Sequence, residues 1–498
     1  MRRILFAVSG ILFLTACQEK EFLTPEVGET TIVKNRKVED LHFPFADLEE
    51  LNQFKNLNNV VHYEMARKIA LLELQATGFV QEMNWNGYRL SEKPVLIYDL
   101  NSVPKYYDYI ALDTENNPIG TVRVNATKEK STILQGMFSK TFNYNELLSK
   151  SSVSNPSFFM DWKGTEFVGL KSKSGEAPTQ IVSTETGETI PQSEVKELSN
   201  QEIIDFLTEG VFPTLLPKDE KAFENIPAHL AENDTIREEI EFSKNINIEA
   251  LKDSMQLALR RTEKDAEAFW KAITEVESEL VMATDEEIND ANSKFFGRIF
   301  RWVRRVFNFK TNKDRHTLRE YADNTKINDY GHINDWCGPW VCGYIVYAKQ
   351  GKDKYQFFED CASTFGELGI LNNFLRYLKG IKTEARPMTP AEMSWSMPIA
   401  SNGKIWINPI PNMAGFHAYQ HISDRNNPVI RLCASGGELH YTLVYGVRQT
   451  GNYWWRNYYF LQIDNGSLYP VGNRNQDPER NENYHSVDWW NPWFLVWD

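Results

Sequence analysis

Cys337, His440 and Asp464 follow one another along the chain in contexts that suit a thiol nucleophile, its base and the group that orients the base. Cys337 lies in Asp335-Trp336-Cys337-Gly338-Pro339-Trp340. Pro339 fits the first turn of a helix, where its missing N–H costs nothing. The run from Trp340 to Gln350 is mostly apolar and predicts a buried helix. A thiol at the positive end of such a helix is drawn toward its thiolate, and a neighbouring imidazolium adds to this. Cys342 falls one turn inside the same helix, where packing leaves a thiol inert, so the nucleophile is assigned to Cys337. The competing readings are two structural cysteines or a Cys-x4-Cys metal pair. Zinc sites use shorter spacings and a second pair, which Cys361 and Cys433 do not supply. The chemistry calls for neither a metal nor an organic cofactor.

Strands must position the base. His440 stands at the head of Leu439–Val447, after the run Pro428–Cys433 and the turn Ser435–Glu438; the run Asn457–Asn465 follows and ends at Gly466. These read as three consecutive antiparallel strands. An odd loop centred on Asn452 sets His440 opposite Asp464, whereas a two-residue loop at Gly451-Asn452 sets it opposite Ile463 and puts Asn465 on its face. Either residue could orient the imidazole, and both stay open. A lone histidine on a strand is more often structural, but this one sits at a strand entry beside Gly436 and Gly437.

The upstream chain divides by texture. Residues 36–145 have an α+β pattern: a helix with a wide apolar face over Asn58–Thr77, a strand at Val95–Tyr98, and a hairpin of Tyr106–Leu112 with Ile119–Val124 about the turn Asp113–Pro118. Residues 146–200 read as a loop-rich connection with short strands at best. Residues 201–316 read as helical, most clearly Ile248–Val281, a long amphipathic helix or helical hairpin. Phe295–Lys310 is a basic amphipathic stretch whose favoured reading is a helix packing its Phe, Ile, Trp and Val on the core with its Arg in water. A membrane-surface helix and a cleavable connector are the rival readings. Residues 317–498 are rich in Trp, Tyr, Gly and strand-like runs. Trp454, Trp455, Trp489, Trp490, Trp493 and Trp497 read as packing rather than as a binding surface.

The first residues are an export signal. Arg2 and Arg3 precede a short apolar run, then Leu14-Thr15-Ala16-Cys17. That sequence resembles the bacterial lipobox, which implies removal of residues 1–16, lipidation of Cys17 and a tether over residues 17–35. The acidic residues after Cys17 resemble surface-export signals of Bacteroidota lipoproteins. The implied place is the bacterial cell envelope, anchored to the outer membrane and facing either the periplasm or the surface. Loss of two Arg and no acid on cleavage takes the net charge from −14 to −16, which argues against nucleic acid as a partner. Four further cysteines in so long a chain are no disulfide framework, although an exported Cys361–Cys433 bridge is conceivable on location alone.

Trp-Cys-Gly-Pro-Trp opening a helix, then Gly-Gly-Glu-Leu-His-Tyr-Thr-Leu-Val-Tyr-Gly-Val, then Tyr-Phe-Leu-Gln-Ile-Asp-Asn-Gly, resembles the papain-like cysteine peptidase clan over residues 317–498. The chain is most similar in motif to bacterial double-glycine leader peptidases, and more loosely to streptopain-type enzymes. The resemblance implies an α+β papain-like domain in which a buried helix carrying Cys337 packs on an antiparallel sheet carrying His440. It implies Cys337 as nucleophile, His440 as general base and acid, and Asp464, or alternatively Asn465, as orienter. The substrate would be a peptide or protein, reached from a membrane anchor at Cys17. The clan places a Gln shortly before its nucleophile to serve the oxyanion, and Gly331 stands there here. Asn334 and His332 are the candidate substitutes, with the Cys337 N–H. Residues 36–145 resemble the pro-regions of streptopain-type enzymes, which implies a mask over the site. A cell-wall amidase or transglutaminase-like acyl transferase on the same fold, and an inactive surface-binding module, are the alternatives.

Overall fold

A computed structural model describes residues 43–184, 187–211, 248–290, 292–307, 315–316, 337–351, 393, 397, 401, 404–407, 415–435, 438–451, 456–463, 484–486 and 493–497. The architecture is α+β. The residues expected to form an export signal (1–16) and a tether (17–35), Cys17 among them, lie outside the described residues.

The N-terminal unit begins with helix α1 (Tyr63–Thr77), which buries Ala66, Ile69, Ala70, Leu72, Leu74 and Ala76. It stops at Gly78, whose φ of +76° is a left-handed conformation that glycine adopts without steric cost. Eight strands follow: β1 (Arg89–Leu90), β2 (Val95–Tyr98), β3 (Pro104–Leu112), β4 (Pro118–Asn125), β5 (Leu134–Phe138), β6 (Ser157–Met160), β7 (Glu166–Leu170) and β8 (Thr179–Ser183). Their order is β5-β4-β3-β2-β6-β7-β8, with β1 on β3, and only the β2–β6 pair is parallel. The β3–β4 hairpin matches the sequence expectation. Residues 157–183 differ from it. Rather than a bare connection, β6, β7 and β8 widen the sheet, because Phe158, Phe159, Met160, Val168 and Val182 have apolar faces to bury. Gly120 on β4 is a close-approach position: a Cβ there would lie 2.3 Å from the Phe138 carbonyl oxygen and 2.4 Å from the Trp85 ring.

Four helices then cover the unit: α2 (Ile248–Thr274), α3 (Glu277–Met282), α4 (Asp285–Asn289) and α5 (Lys294–Phe307). The expected long helix therefore breaks near Glu275. On α5, Phe295, Ile299, Trp302, Val303 and Val306 are buried while Lys294 and Arg298 are exposed. Its apolar stripe thus packs on the core, and the Trp302 indole donates to the Ala272 carbonyl at 3.0 Å. Arg67 of α1 pairs with Asp285 of α4.

The C-terminal part adds β9 (Arg315–His316), helix α6 (Cys337–Gln350), β10 (Trp406–Ile407), helix α7 (Gly415–Arg425), β11 (Val429–Ser435), β12 (Glu438–Gly451), β13 (Arg456–Ile463), β14 (Tyr484–Ser486) and β15 (Trp493–Trp497). The order is β10-β15-β11-β12-β13-β14, with β9 on β12. The three expected strands are therefore present and antiparallel. Strand β14 pairs with β5 (Tyr484 with Met137, His485 with Gly136), so the two sheets are continuous.

Both hairpin registers expected from the sequence are corrected. Gly451 pairs with Arg456, so strand β12 runs through Gly451 and β13 begins at Arg456. An irregularity between Val444 and Gly446 then brings Leu443 opposite Ile463. The sequence reading took Gly451-Asn452 as turn residues, but a glycine is compatible with strand as well as turn, and Gly451 forms the last pair of the ladder.

Candidate functional site

Cys337 is the first residue of α6 and is partly buried, while Cys342, one turn on, is fully buried. Neither is in a disulfide. The helix is apolar on nearly every side. Trp340, Val341, Tyr344, Ile345 and Val346 are inaccessible, and the Trp340 and Tyr344 rings stack at 5.5 Å between centroids. Burial of this kind is worth about 1.5–3 kcal/mol for each large apolar side chain, so packing fixes the helix rigidly. Its far end is tied by polar contacts. Lys349 donates to the Asn427 side chain at 2.6 Å, and Gln350 donates to the Ser401 carbonyl at 3.1 Å.

Helix α6 covers one face of the C-terminal strands, sharing a core with Ile430, Leu432, Tyr441, Leu443 and Tyr445. Helix α7 covers the other, where Ala418, Tyr419 and Ile422 pack with Val429 and Val444. His440 lies near the entry of β12, paired in register with Cys433. The β11–β12 ladder is regular from Ser435–Glu438 to Val429–Val444. Cys337 thus opens a helix that packs on the C-terminal strands, and His440 lies on one of those strands.

Asp464 follows directly on Ile463, the last described residue of β13, and lies with Asn465 outside the described residues. So do Asn334, His332 and Cys361. Among the described residues, no cluster of His, Cys, Asp or Glu is arranged to hold a metal ion, and no helix is long and apolar enough to cross a membrane.

Glu73 was not singled out by sequence reasoning. It lies on the apolar stripe of α1, four residues from both Ile69 and Thr77, and is inaccessible. Thr132 and Tyr459 hydroxyls each stand 2.7 Å from its carboxyl, and the Ile133 and Leu134 amides donate to it at 3.2 and 3.3 Å. Burial raises its pKa, against the lowering effect of these donors. A carboxylate within an otherwise apolar helix face was the signal available in the sequence.

No family model matches the chain, and no curated protein or solved structure matches it either.

Proposed function

We propose that the protein is an exported, lipid-anchored cysteine peptidase in which Cys337 attacks an amide carbonyl and His440 serves as base and then acid. The observation that carries this reading is Cys337 itself, a partly exposed thiol at the first residue of a buried helix. Helix lengths add support. The 14 residues of α6 span about 20 Å. Its C-terminal end is held at Asn427, and six residues of extended chain from there to Cys433 also span about 20 Å. A helix lying along the strands would bring Cys337 level with the Cys433–His440 pair.

The chemistry then follows. His440 takes the thiol proton, the thiolate attacks, the leaving amine takes the proton back from the imidazolium, and water releases the acyl-enzyme. The Cys337 N–H, with Asn334 or His332, would serve the oxyanion. The reading makes two structural demands. The His440 imidazole must come within hydrogen-bond reach of the Cys337 thiol. The β12–β13 ladder must also run one pair beyond Leu443–Ile463, which would set Asp464 across from Thr442, two residues along from His440. Asn465 is the alternative orienter.

Gly331, standing where the clan places its oxyanion Gln, favours a second reading, a folded surface module without activity. Labelling with a thiol-reactive peptidyl probe separates the two. The wild type is expected to label, Cys337→Ala and His440→Ala to lose the label, and Cys342→Ala to keep it. Label retained in Cys337→Ala and lost in Cys342→Ala overturns the assignment, and no label in any form selects the inactive module or a masked site.

A further inference from the structure

The N-terminal unit meets the C-terminal sheet through three independent contacts. The first is backbone pairing. Strand β5 of the unit covers the edge of β14, in the manner of a strand added to an exposed sheet edge. The second is the buried polar node. Glu73 and Thr132 come from the N-terminal unit and Tyr459 from β13, with the Thr132 and Tyr459 hydroxyls 2.6 Å apart. The third is a buried cation. Arg448 of β12, 3% exposed, donates to the Thr77 carbonyl at 3.1 Å and lies 4.5 Å from the centre of the Phe79 ring, which itself packs edge-on against Tyr459.

A shield built to leave would meet the body it covers through a wet, exchangeable surface. Here departure would open the edge of β14, uncover Phe79 and Tyr459, and strip a buried arginine of a carbonyl acceptor. Buried polar groups parted from their partners are costly, so each of these contacts opposes separation. Apolar residues of both parts also belong to one core, Ile69, Leu72 and Phe79 with Leu443, Tyr445 and Tyr459.

We propose that the N-terminal unit is a standing partner of the C-terminal sheet that keeps its place when the chain between them is cut, held by the β5–β14 pairing and the Glu73–Thr132–Tyr459 node. Any substrate therefore reaches Cys337 with the unit in place, and cutting the connector does not by itself remove it.

The test uses the full chain with a site-specific protease sequence inserted between Phe307 and Arg315. After cutting, the two pieces are expected to co-elute as one species by size exclusion and to give the mass of the pair by native mass spectrometry. Tyr459→Phe and, from the other side of the node, Thr132→Val are each expected to weaken the pair's Kd roughly tenfold, the scale of one buried hydrogen bond. Tyr458→Phe, on the opposite face of β13, is expected to leave Kd within about twofold. Circular dichroism of each uncut variant confirms that it folds. Separation of the cut wild-type pieces in native buffer overturns the proposal, and an unchanged Kd in both node variants overturns the part assigned to the node. The readout is association, so it stands or falls independently of whether Cys337 is a nucleophile.

Discussion

The β3–β4 and β12–β13 hairpins are built on the same antiparallel plan, yet only the first closes where its sequence places the turn. Asp113 closes the β3–β4 loop: its carboxylate accepts from the Glu115 and Asn117 amides at 2.8 Å each and from the Asn117 side chain at 3.0 Å. Inside that hairpin, Arg123 of β4 is paired with Asp108 of β3 by two bonds of 2.8 Å, and Tyr144 donates to the same carboxylate at 2.7 Å. Side-chain chemistry pins the loop and the ladder alike. In β12–β13 the polar partner of the ladder lies elsewhere, on α1, through Tyr459 and Glu73. The first hairpin carries its own specification, and the second depends on the N-terminal unit against which it folds.

The difference is broken most severely at Arg123. Arg123→Ala leaves Asp108 buried without its cation and empties a pocket between the Phe138 and Phe142 rings. A loss of about 3–5 kcal/mol is expected by urea unfolding, the scale of a broken buried pair. A loss below about 1 kcal/mol would mean that the network does not specify the hairpin. Tyr459→Phe ranks next, with an expected loss of about 1.5–3 kcal/mol in the uncut protein, because a hydroxyl bound to a buried carboxyl disappears.

Glu73 also gives the node a pH signature. Its folded pKa is raised above the ordinary 4.5 by burial, so the folded state holds this proton where the unfolded state has released it. Its contribution to stability is complete below about pH 4.5 and declines as pH rises through the folded value. Glu73→Gln, neutral throughout, is expected to flatten this decline in unfolding midpoints measured upward from pH 4.5. A slope unchanged by the substitution would assign it to other groups.

What could be read from the sequence tracks how local the determining chemistry is. Pro339 and the apolar run after it specify α6, and Asp113 through Pro118 specify a turn. The packing of Phe295, Ile299 and Trp302 beneath wet Lys294 and Arg298 followed from helical spacing alone. The buried state of Cys342 against the partly exposed Cys337 followed from their places on α6. The β12–β13 register did not follow, because Gly451 is compatible with both strand and turn and the ladder is set by distant packing. Nor did the two faces of β12, since Tyr441, Thr442, Leu443 and Val444 are all buried and no polar alternation marks which side meets α6. A strand covered on both faces carries no such mark. Glu73 reads locally as one carboxylate on a helix, and its partners Thr132 and Tyr459 lie 59 and 386 residues away.

The smallest effect sharpens the contrast most directly, because it has the opposite sign. Desolvation pushes the Asp113 carboxyl up, but the bonds from the Asn117 side chain and the Asn117 and Glu115 amides together hold it below its ordinary 3.8. A depressed carboxyl contributes stability above its unfolded pKa and loses it as pH falls through the folded value. Asp113→Ala is thus expected to cost about 1 kcal/mol or less at neutral pH, since the loop is largely solvated, and to remove part of the acid-side fall in stability below pH 3.8. The Glu73 slope, on the neutral side, should be untouched, because the β3–β4 turn and the node share no partner. Unfolding of Asp113→Ala, Glu73→Gln and the double variant across pH 3 to 8 checks both limbs at once. If the two substitutions add, the turn that specifies one hairpin and the node that secures the other are separate devices. A coupling above about 0.5 kcal/mol would show that the N-terminal hairpin and the C-terminal sheet are not specified independently.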